Sequence, residues 1–386
     1  MRNRKLIKGA YVVLPDSCKK CSVLIENGKI AAILPENSAA DAEIINADGM
    51  YLLPGFVEIH AHGGGGFDFA DGTEEAFKAV CSAHLSHGTT SVAPTLVSVS
   101  DESMYRFFDM YRAMEEKAGV NLLGIHLEGP FISPEMKGAQ NPAYVHSPDK
   151  WEVDRLADTA GDIISLCTAA PEIAGAEYMA KRMKGCGTVL SIGHSNVTCA
   201  QAKKAFDMGF SHITHLYSNT PGVRKINQVV CAGLLEAAYL YDFDIELIGD
   251  GHHVAKEVLA LALKIKSADK INLTSDAMRA AGTDTAESYL GEIAPENRVI
   301  IEDGVAKLPD RSFFAGSIAT GDIMLKWAVR DCGVHVCDAS KMLSATPARI
   351  IGAKKKGSIV CGYDADLILA DKEFNVNKIF VNGVER

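Results

Sequence analysis

Short runs of apolar and β-branched residues alternate with longer segments of helical periodicity through the middle of the chain. The helical segments include EEAFKAVCSAHLSHG (74–88), AEYMAKRMKGCG (176–187) and CAQAKKAFDMGF (199–210). Strand patterns that alternate with helical patterns predict βαβ units and a parallel sheet. The predicted strands, most of which end in polar or small residues, are GFVEIHAH (55–62), TTSVAPTL (89–96), LLGIHLEGP (122–130), DIISLCTAAPE (162–172), GTVLSIGHS (187–195), SHITHLYS (211–218), DIELIGDG (244–251) and INLTSDAM (271–278).

Eight predicted strands between residues 55 and 278 match one kind of α/β fold, the (β/α)8 TIM barrel. In such barrels the active site collects at the C-terminal ends of the strands. A doubly wound open sheet is the structural alternative, but it does not place polar clusters at the ends of nearly every strand. We therefore predict the barrel.

Both ends of the chain have β-rich patterns. The N-terminal flank contains KGAYVVL, SVLIENGKIAAIL and AEIINADGMYLL, and the C-terminal flank contains GSIVCGYDADLILAD and KIFVNGVER. An Asn-Gly pair in each flank is typical of a hairpin turn. Because the first and last strands of a barrel are neighbours, the two flanks can meet in space. We predict a barrel over residues 54–353 and one small β domain formed by residues 1–53 and 354–386.

Composition and charge narrow the class of partner. The 386 residues include 39 Lys and Arg against 49 Asp and Glu, a formal net charge of −10. This acidic balance argues against nucleic acid or an anionic membrane surface as the main partner. No apolar run approaches the roughly 18 residues of a membrane span. A phosphorylated substrate is not excluded, because it needs only a local positive patch.

The ten cysteines are expected to be reduced thiols in a cytoplasmic protein. The apolar stretch at residues 10–14 is too short for the core of a signal peptide, and thiols stay reduced in the cytoplasm. Cys18 and Cys21 form one CxxC, but no second CxxC completes a zinc ribbon. We interpret this pair as structural.

A His-x-His pair ends the first predicted strand. His60 and His62 are two residues apart, so their side chains point to the same face. The pair alone is weak evidence for a metal, because buried histidines commonly satisfy ordinary hydrogen bonds. Four more nitrogen or oxygen ligands close other strands at the same end of the barrel, namely Glu128, His194, His215 and Asp276. This donor set favours zinc, iron or manganese over calcium.

This constellation resembles the amidohydrolase superfamily, which has an N-terminal HxH, single histidines on strands five and six, and an aspartate on strand eight. That superfamily also carries a β-sandwich built from both chain ends. Most members use a carboxylated lysine on strand four, whereas this chain has Glu128 on strand three instead. In having a glutamate on strand three in place of that lysine, this chain resembles the N-acetylglucosamine-6-phosphate deacetylases. Blocks that resemble theirs in order and spacing are LPGFVEIHAHGGGGFDF, IHLEGPFISPEMKGAQNP, LSIGHSNVT, THLYSNTPG, DGHHV, TSDAMRAAG and FFAGS.

The resemblance implies a metal-dependent amidohydrolase that converts N-acetylglucosamine 6-phosphate to glucosamine 6-phosphate and acetate in amino-sugar metabolism. The alternatives are a deacetylase for N-acetylgalactosamine 6-phosphate and an amidohydrolase acting on a cyclic amide. A catalytically inactive barrel that senses a sugar phosphate is disfavoured, because every expected catalytic position is filled.

The resemblance also implies one or two divalent metal ions per subunit, zinc in the first place and iron or manganese as alternatives. Glu128, His194 and His215 would hold the principal ion. His60 and His62 would hold a second one, with Glu128 as the bridge.

Two residues receive catalytic roles. Asp276 is the expected general base and then acid, which takes a proton from the attacking water and delivers it to the departing nitrogen. A role as a metal ligand does not exclude this one. His253, in DGHHV, is the expected polariser of the carbonyl. It is preferred over His252 because alternation along a persisting strand turns only one of them inward.

Further positions are implied to contact the phosphosugar. Arg224 matches an arginine that reaches the phosphate from the other subunit of a homodimer, a task that suits its planar fork. The alternative for Arg224 is a solvated loop charge. Gln140 stands where a histidine is common, which leaves a preference for the galacto epimer open. The full substrate set is Ala139, Gln140, Ser218, Asn219, Arg224, His253, Phe314, Ala315 and Gly316.

Four other histidines are assigned no direct role. His84 and His87 lie in a helical segment away from the strand ends and are predicted at the surface. His212 begins strand six at the opposite end of the barrel from the metal ligands. His126 has the parity of an inward residue, and its support of the metal site is left open.

Overall fold

The computed structural model describes residues 4–386. Its centre is a ring of parallel strands, which confirms the predicted (β/α)8 barrel. Each barrel strand pairs with its neighbour in chain order. The barrel strands are β1 (Phe56–Ala61), β2 (Thr89–Leu96), β3 (Ile125–Glu128), β4 (Ile164–Ala169), β5 (Val189–Ile192), β6 (Phe210–Ile213), β7 (Asp244–Ile248) and β8 (Ile271–Thr274).

The ring closes just beyond the ends of β8 and β1. Ala61 and Ala277 form an isolated parallel bridge, and the backbone N–H of Asp276 donates to the carbonyl of His60 at 3.0 Å. The C-terminal ends of the first and last strands are therefore joined at the level of the predicted ligands.

Helices surround the barrel and pack their apolar faces on it. Thr73, Ser100, Asp149 and Thr198 each cap a helix by accepting a backbone N–H with the side chain, which satisfies donors that a helix start leaves free. The helices are α1 (Glu74–Ser86), α2 (Asp101–Met114), α3 (Lys150–Ala160), α4 (Ala176–Gly185), α5 (Cys199–Met208), α6 (Leu234–Leu240), α7 (Lys256–Ile265), α8 (Gly321–Lys326), α9 (Val336–Leu343) and α10 (Ala345–Ile350), with a π-helical turn at Trp327–Asp331.

Strands from both chain ends form one eight-stranded mixed sheet, which confirms the small β domain built from both termini. The two ends meet where Tyr51–Pro54 pairs antiparallel with Leu367–Ala370. This domain has its own buried cluster, separate from that of the barrel. Its other strands are Arg4–Leu14, Ser17–Glu26, Lys29–Pro35, Glu43–Asn46, Val376–Val381 and Val384–Glu385. The exact domain boundaries at residues 53 and 354 stay a prediction.

Three small antiparallel elements that the sequence patterns did not predict lie outside both sheets. One follows β8 and has the strands Glu287–Tyr289, Arg298–Glu302 and Val305–Lys307. The others are hairpins, Gly63–Gly64 with Phe67–Asp68 and Arg224–Ile226 with Val229–Cys231. Within residues 4–386, no helix combines the length and the apolar character needed to cross a membrane.

The prediction that His84 lies at the surface is wrong. Its side chain is buried, and its Nε2 donates a hydrogen bond to the carbonyl of Gly63 at 3.0 Å. Helix α1 turns this face toward the loop that follows β1, a contact that spacing along the helix did not reveal. His87 is half-buried and pairs with Asp322 at 2.9 Å.

We expect a His84→Gln variant to lose less stability in acid than the natural chain. Burial lowers the pKa of His84 to about 4, whereas the unfolded chain titrates a histidine near 6.5. Between these values the unfolded state binds more protons than the folded state, so stability falls as the pH falls. At about 1.4 kcal/mol per pH unit, the group removes about 3 kcal/mol across this window. Glutamine keeps an N–H for Gly63 without the titration.

Urea unfolding of both proteins at about pH 7 and about pH 4.5 measures this difference. An equal loss of unfolding free energy in the two proteins would contradict the assignment.

Candidate active site

The structure brings three of the predicted ligands, Glu128, His194 and His215, together at the C-terminal end of the barrel. Glu128 Oε1 lies 3.0 Å from His194 Nε2 and 2.9 Å from His215 Nε2. The two Nε2 atoms are 3.0 Å apart. All three side chains are buried, and their candidate ligand atoms lie within 4.8 Å of one another.

A second group lies against the first one. His60 Nε2 and His62 Nε2 are 3.2 Å apart, and Asp276 Oδ1 lies 3.4 Å and 3.2 Å from them. Glu128 stands between the groups, because its Oε2 is 3.4 Å from His62 Nε2 while its Oε1 is 3.6 Å from His60 Nε2. The structure therefore assembles all six predicted ligands into two adjoining groups, and Glu128 of one group lies within 3.6 Å of both histidines of the other.

Hydrogen bonds on the far side of two imidazoles test whether this arrangement suits a metal. His194 Nδ1 bonds the carbonyl of Met136 at 2.8 Å, and His60 Nδ1 bonds Glu246 Oε1 at 2.7 Å. A carbonyl or carboxylate oxygen only accepts, so Nδ1 carries the proton and Nε2 presents a lone pair to the centre. Lone pairs that face each other across about 3 Å need a cation between or beside them. The residues present fit a divalent metal ion.

Three of the six ligands have an unusual backbone conformation. His194, His215 and Asp276 have φ values of 49°, 29° and 46°. Residues other than glycine rarely adopt positive φ, and where they do the strain is commonly held at functional sites. Each strand thus ends in a sharp turn that directs its ligand over the barrel mouth. No periodicity in the sequence signals these turns.

Two buried glutamates that the sequence analysis gave no role hold the ligands in place. Glu246 Oε1, besides bonding His60, accepts the backbone N–H of His215 at 3.1 Å. Burial would raise the pKa of Glu246, but the adjacent imidazole of His60 lowers it to about 2. Glu58 accepts the backbone N–H groups of His60 and Ser275, both at 2.9 Å. A charged residue inside an apolar strand run was the available signal for both.

Two further histidines, His126 and His212, lie inside the barrel. His126 points inward, in agreement with its parity along the strand. Its ring lies edge-on to that of His60, with 4.6 Å between the ring centroids. Its Nε2 bonds Thr168 Oγ1 at 2.7 Å. His212 is also buried, with Nδ1 2.9 Å from Ser191 Oγ, and it takes no part in either ligand group.

A cavity of about 260 Å³ lies over the ligands and is open to solvent. Seven of the predicted substrate residues line it, namely Ala139, Gln140, Ser218, Asn219, His253, Phe314 and Gly316. Ala315 is fully buried behind this wall. The sequence analysis missed four other lining residues, which are Val97, Tyr217, Leu290 and Phe313.

His253 faces the cavity, and His252 lies outside it and is exposed. The reason is not the alternation that we expected, because β7 ends at Ile248. Instead, Asp250 Oδ1 accepts the backbone N–H groups of both histidines at 2.9 Å, and Asp250 Oδ2 bonds His253 Nδ1 at 2.7 Å. Burial acts to raise the pKa of Asp250, but these hydrogen bonds, with that from His253 foremost, lower it overall.

Arg224 does not line the cavity of its own chain. It begins a short hairpin strand, and its Nη2 donates to the carbonyl of Asn196 at 2.6 Å. Its Nη1 is buried without a hydrogen-bond partner.

Comparison with known proteins agrees with this geometry. A profile of the amidohydrolase family matches residues 51–386. The N-acetylglucosamine-6-phosphate deacetylase of Lysinibacillus sphaericus is 30% identical over 95% of this chain and 93% of its own. The N-acetylgalactosamine-6-phosphate deacetylase of Escherichia coli is 29% identical over 93% of each chain. A mutant N-acetyl-D-glucosamine-6-phosphate deacetylase from Mycobacterium smegmatis, solved with N-acetyl-D-glucosamine-6-phosphate, superposes with a TM-score of 0.91, 26% identity and 99% coverage of both chains.

Proposed function

The chain belongs to the amidohydrolase family, and on this premise we propose that it hydrolyses N-acetylglucosamine 6-phosphate to glucosamine 6-phosphate and acetate. One observation carries the proposal: two adjoining ligand groups, with Glu128 between them, lie beneath a cavity of about 260 Å³. Relatives that cover nearly the whole chain have this activity in their names.

A divalent metal ion, when bound by the two ligand groups, lowers the pKa of a water molecule and polarises the substrate carbonyl. Glu128, His194 and His215 would hold the principal ion. His60 and His62 would hold a second ion.

Asp276 moves the proton in this mechanism. Its carboxylate accepts a proton as water adds to the acetyl carbon, and then delivers it to the nitrogen as the C–N bond breaks. The Oδ1 atom is 3.2 Å from His62 Nε2, which puts the base beside the ligands. Its side chain also lines the cavity, so the same carboxylate can reach a bound substrate.

His253 would stabilise the negative charge that develops on the acetyl oxygen. Its Nδ1 is committed to Asp250 at 2.7 Å, so Nε2 is the ring nitrogen that remains for the substrate.

We propose zinc as the metal, with iron and manganese as alternatives, and one or two ions per subunit. Imidazole and carboxylate donors support this choice.

The ten cysteines, all within the described residues, are free thiols, which supports a reducing compartment such as the cytoplasm.

We also propose a homodimer in which Arg224 binds the phosphate of the neighbouring subunit's substrate. Three valines are exposed in the hairpin that carries Arg224 or directly before it, namely Val223, Val229 and Val230, by 61%, 63% and 65%. Apolar side chains exposed together favour a protein interface. Ser218 and Asn219 line the cavity, where their backbone amides would meet the phosphosugar.

Gln140 and the relative from Escherichia coli support N-acetylgalactosamine 6-phosphate as the second candidate substrate. Acetate release from the two epimeric phosphosugars, measured with zinc, iron or manganese supplied, separates the two. We expect kcat/KM for the gluco epimer to exceed that for the galacto epimer at least about tenfold, the equivalent of about 1.4 kcal/mol. Unphosphorylated N-acetylglucosamine is the control for the phosphate contact. No turnover of either phosphosugar with any of the three metals would overturn the proposal.

A further inference from the structure

Gln140 lines the cavity, and both ends of its side-chain amide are engaged by other residues of the chain. Its Oε1 accepts the backbone N–H of Ser98 at 3.0 Å and the Ser98 hydroxyl at 2.6 Å. Its Nε2 donates to Glu128 Oε2 at 3.1 Å. Ser98, Gln140 and Glu128 are all buried, with exposed fractions of 3%, 4% and 4%. The three residues form a continuous chain of hydrogen bonds that ends on the carboxylate of Glu128.

The chemistry of its neighbours fixes the orientation of this amide. The backbone N–H of Ser98 can only donate, so the amide oxygen must face it. The carboxylate of Glu128 can only accept, so the NH2 group must face that side. A flipped amide would lose both interactions at once and would leave buried polar groups unpaired. Gln140 is thus held in one orientation from both ends.

A glycine next to Glu128 makes room for this chain of hydrogen bonds. Gly129 has a φ of +96°, and a Cβ at this position would collide with Ser98 Oγ and lie 3.4 Å from Gln140 Oε1. The position therefore needs glycine both for its backbone conformation and for the approach of Ser98. Ser98 itself lies two residues beyond the end of β2, outside the wall of the main cavity.

The two oxygens of Glu128 have different neighbours. Oε1 lies near His194 and His215, at 3.0 Å and 2.9 Å, and Oε2 lies between Gln140 and His62, which is 3.4 Å away. A partial rotation of the carboxylate about its last torsion would turn both oxygens away from these neighbours and would break the 3.1 Å bond from Gln140 Nε2. The bond from Gln140 opposes that rotation. It holds Oε2 toward His62, while Oε1 stays near His194 and His215 and lies 3.6 Å from His60 Nε2.

We propose that Gln140 is a positioning residue for the metal centre, which acts through Glu128 and is itself held by Ser98. Outer partners of a metal ligand typically change metal affinity about 10- to 100-fold. Both lone pairs of the Gln140 Oε1 atom are engaged by Ser98. Gln140 can therefore offer a substrate only the second N–H of its amide. The inference rests on the metal centre of the proposed function, but its test measures Zn²⁺ binding and needs no substrate.

Competition for Zn²⁺ between the full-length chain and a chromophoric chelator provides the test. Gln140→Glu keeps the shape and the acceptor for Ser98 but turns a carboxylate oxygen toward Glu128. We expect its Zn²⁺ affinity to fall about 10- to 100-fold, while circular dichroism of the metal-free protein stays unchanged. Ser98 bonds Gln140 and none of the six predicted metal ligands. We therefore expect Ser98→Ala to lower the Zn²⁺ affinity about threefold or more, through Gln140.

A double-mutant cycle separates positioning from a merely structural effect. In a Gln140→Ala background, Ser98→Ala should change Zn²⁺ affinity no further, because the residue through which it acts is gone. Equal effects of Ser98→Ala in both backgrounds would overturn the proposal. So would Zn²⁺ affinities of the Gln140 variants within about twofold of the natural chain, even if their acetate release fell. If the natural chain released no acetate but these affinities changed as expected, only the proposed function would fail.

Discussion

Replacement of Asp276 by asparagine is expected to lower kcat for acetate release by about 10³- to 10⁴-fold, the upper part of the range for loss of a general acid and base. Asparagine has nearly the same shape and tolerates the left-handed backbone of this position, where φ is 46°. It cannot accept the proton of the attacking water or return it to the leaving nitrogen. Metal bound by Glu128, His194 and His215 should remain.

Steady-state kinetics and metal analysis on the same preparation measure both effects. Asp322→Asn is the matched control, because Asp322 also pairs with a histidine, His87, but lies outside the cavity. Retained turnover in Asp276→Asn would remove the acid and base role. Loss of all bound metal would instead make Asp276 chiefly a ligand.

His215→Asn is expected to strip the metal from the first ligand group and to abolish turnover. A direct ligand contributes more than an outer partner, so affinity should fall by more than about 100-fold. Asparagine tolerates the positive φ of 29° at this position but is too short to replace the imidazole Nε2, which lies 2.9 Å from Glu128 Oε1.

His212→Asn provides a close comparison, because His212 is buried three residues earlier and bonds Ser191 at 2.9 Å rather than any ligand. We expect this variant to retain its metal. Metal content after dialysis, measured by elemental analysis, distinguishes the two variants. Equal metal loss in both would mean that barrel packing, and not ligation, causes the effect.

The barrel and its ligands could be predicted because each depends on a local pattern. Every predicted barrel strand is present, and polar residues at the strand ends converge because parallel strands of a barrel share one edge. His60, His62 and Glu128 each needed only a strand and its parity. The six candidate ligands therefore followed from short strand segments and one general property of the fold, whereas their division into two groups followed from the resemblance to the amidohydrolases.

Other features depend on contacts between distant segments and had no local signal. The bond from Gln140 to Glu128 needs Ser98 from another strand end, and only the folded chain brings these three together. The burial of His84 likewise depends on Gly63, which is 21 residues away. His253 was placed correctly for the wrong reason, because a turn and not a strand determines its direction. Sequence periodicity describes one element at a time, whereas these positions are determined between elements.

The pairing of Tyr51–Pro54 with Leu367–Ala370 also constrains how the protein is made. These strands are separated by the whole barrel, so the ribosome synthesises the first long before the second. At about 5–20 residues per second, the interval is roughly 15 to 60 s. During that time one edge of Tyr51–Pro54 has no partner strand, and exposed strand edges invite pairing with other chains. A newly made chain is therefore exposed to aggregation at this edge until Leu367–Ala370 is synthesised and pairs with it.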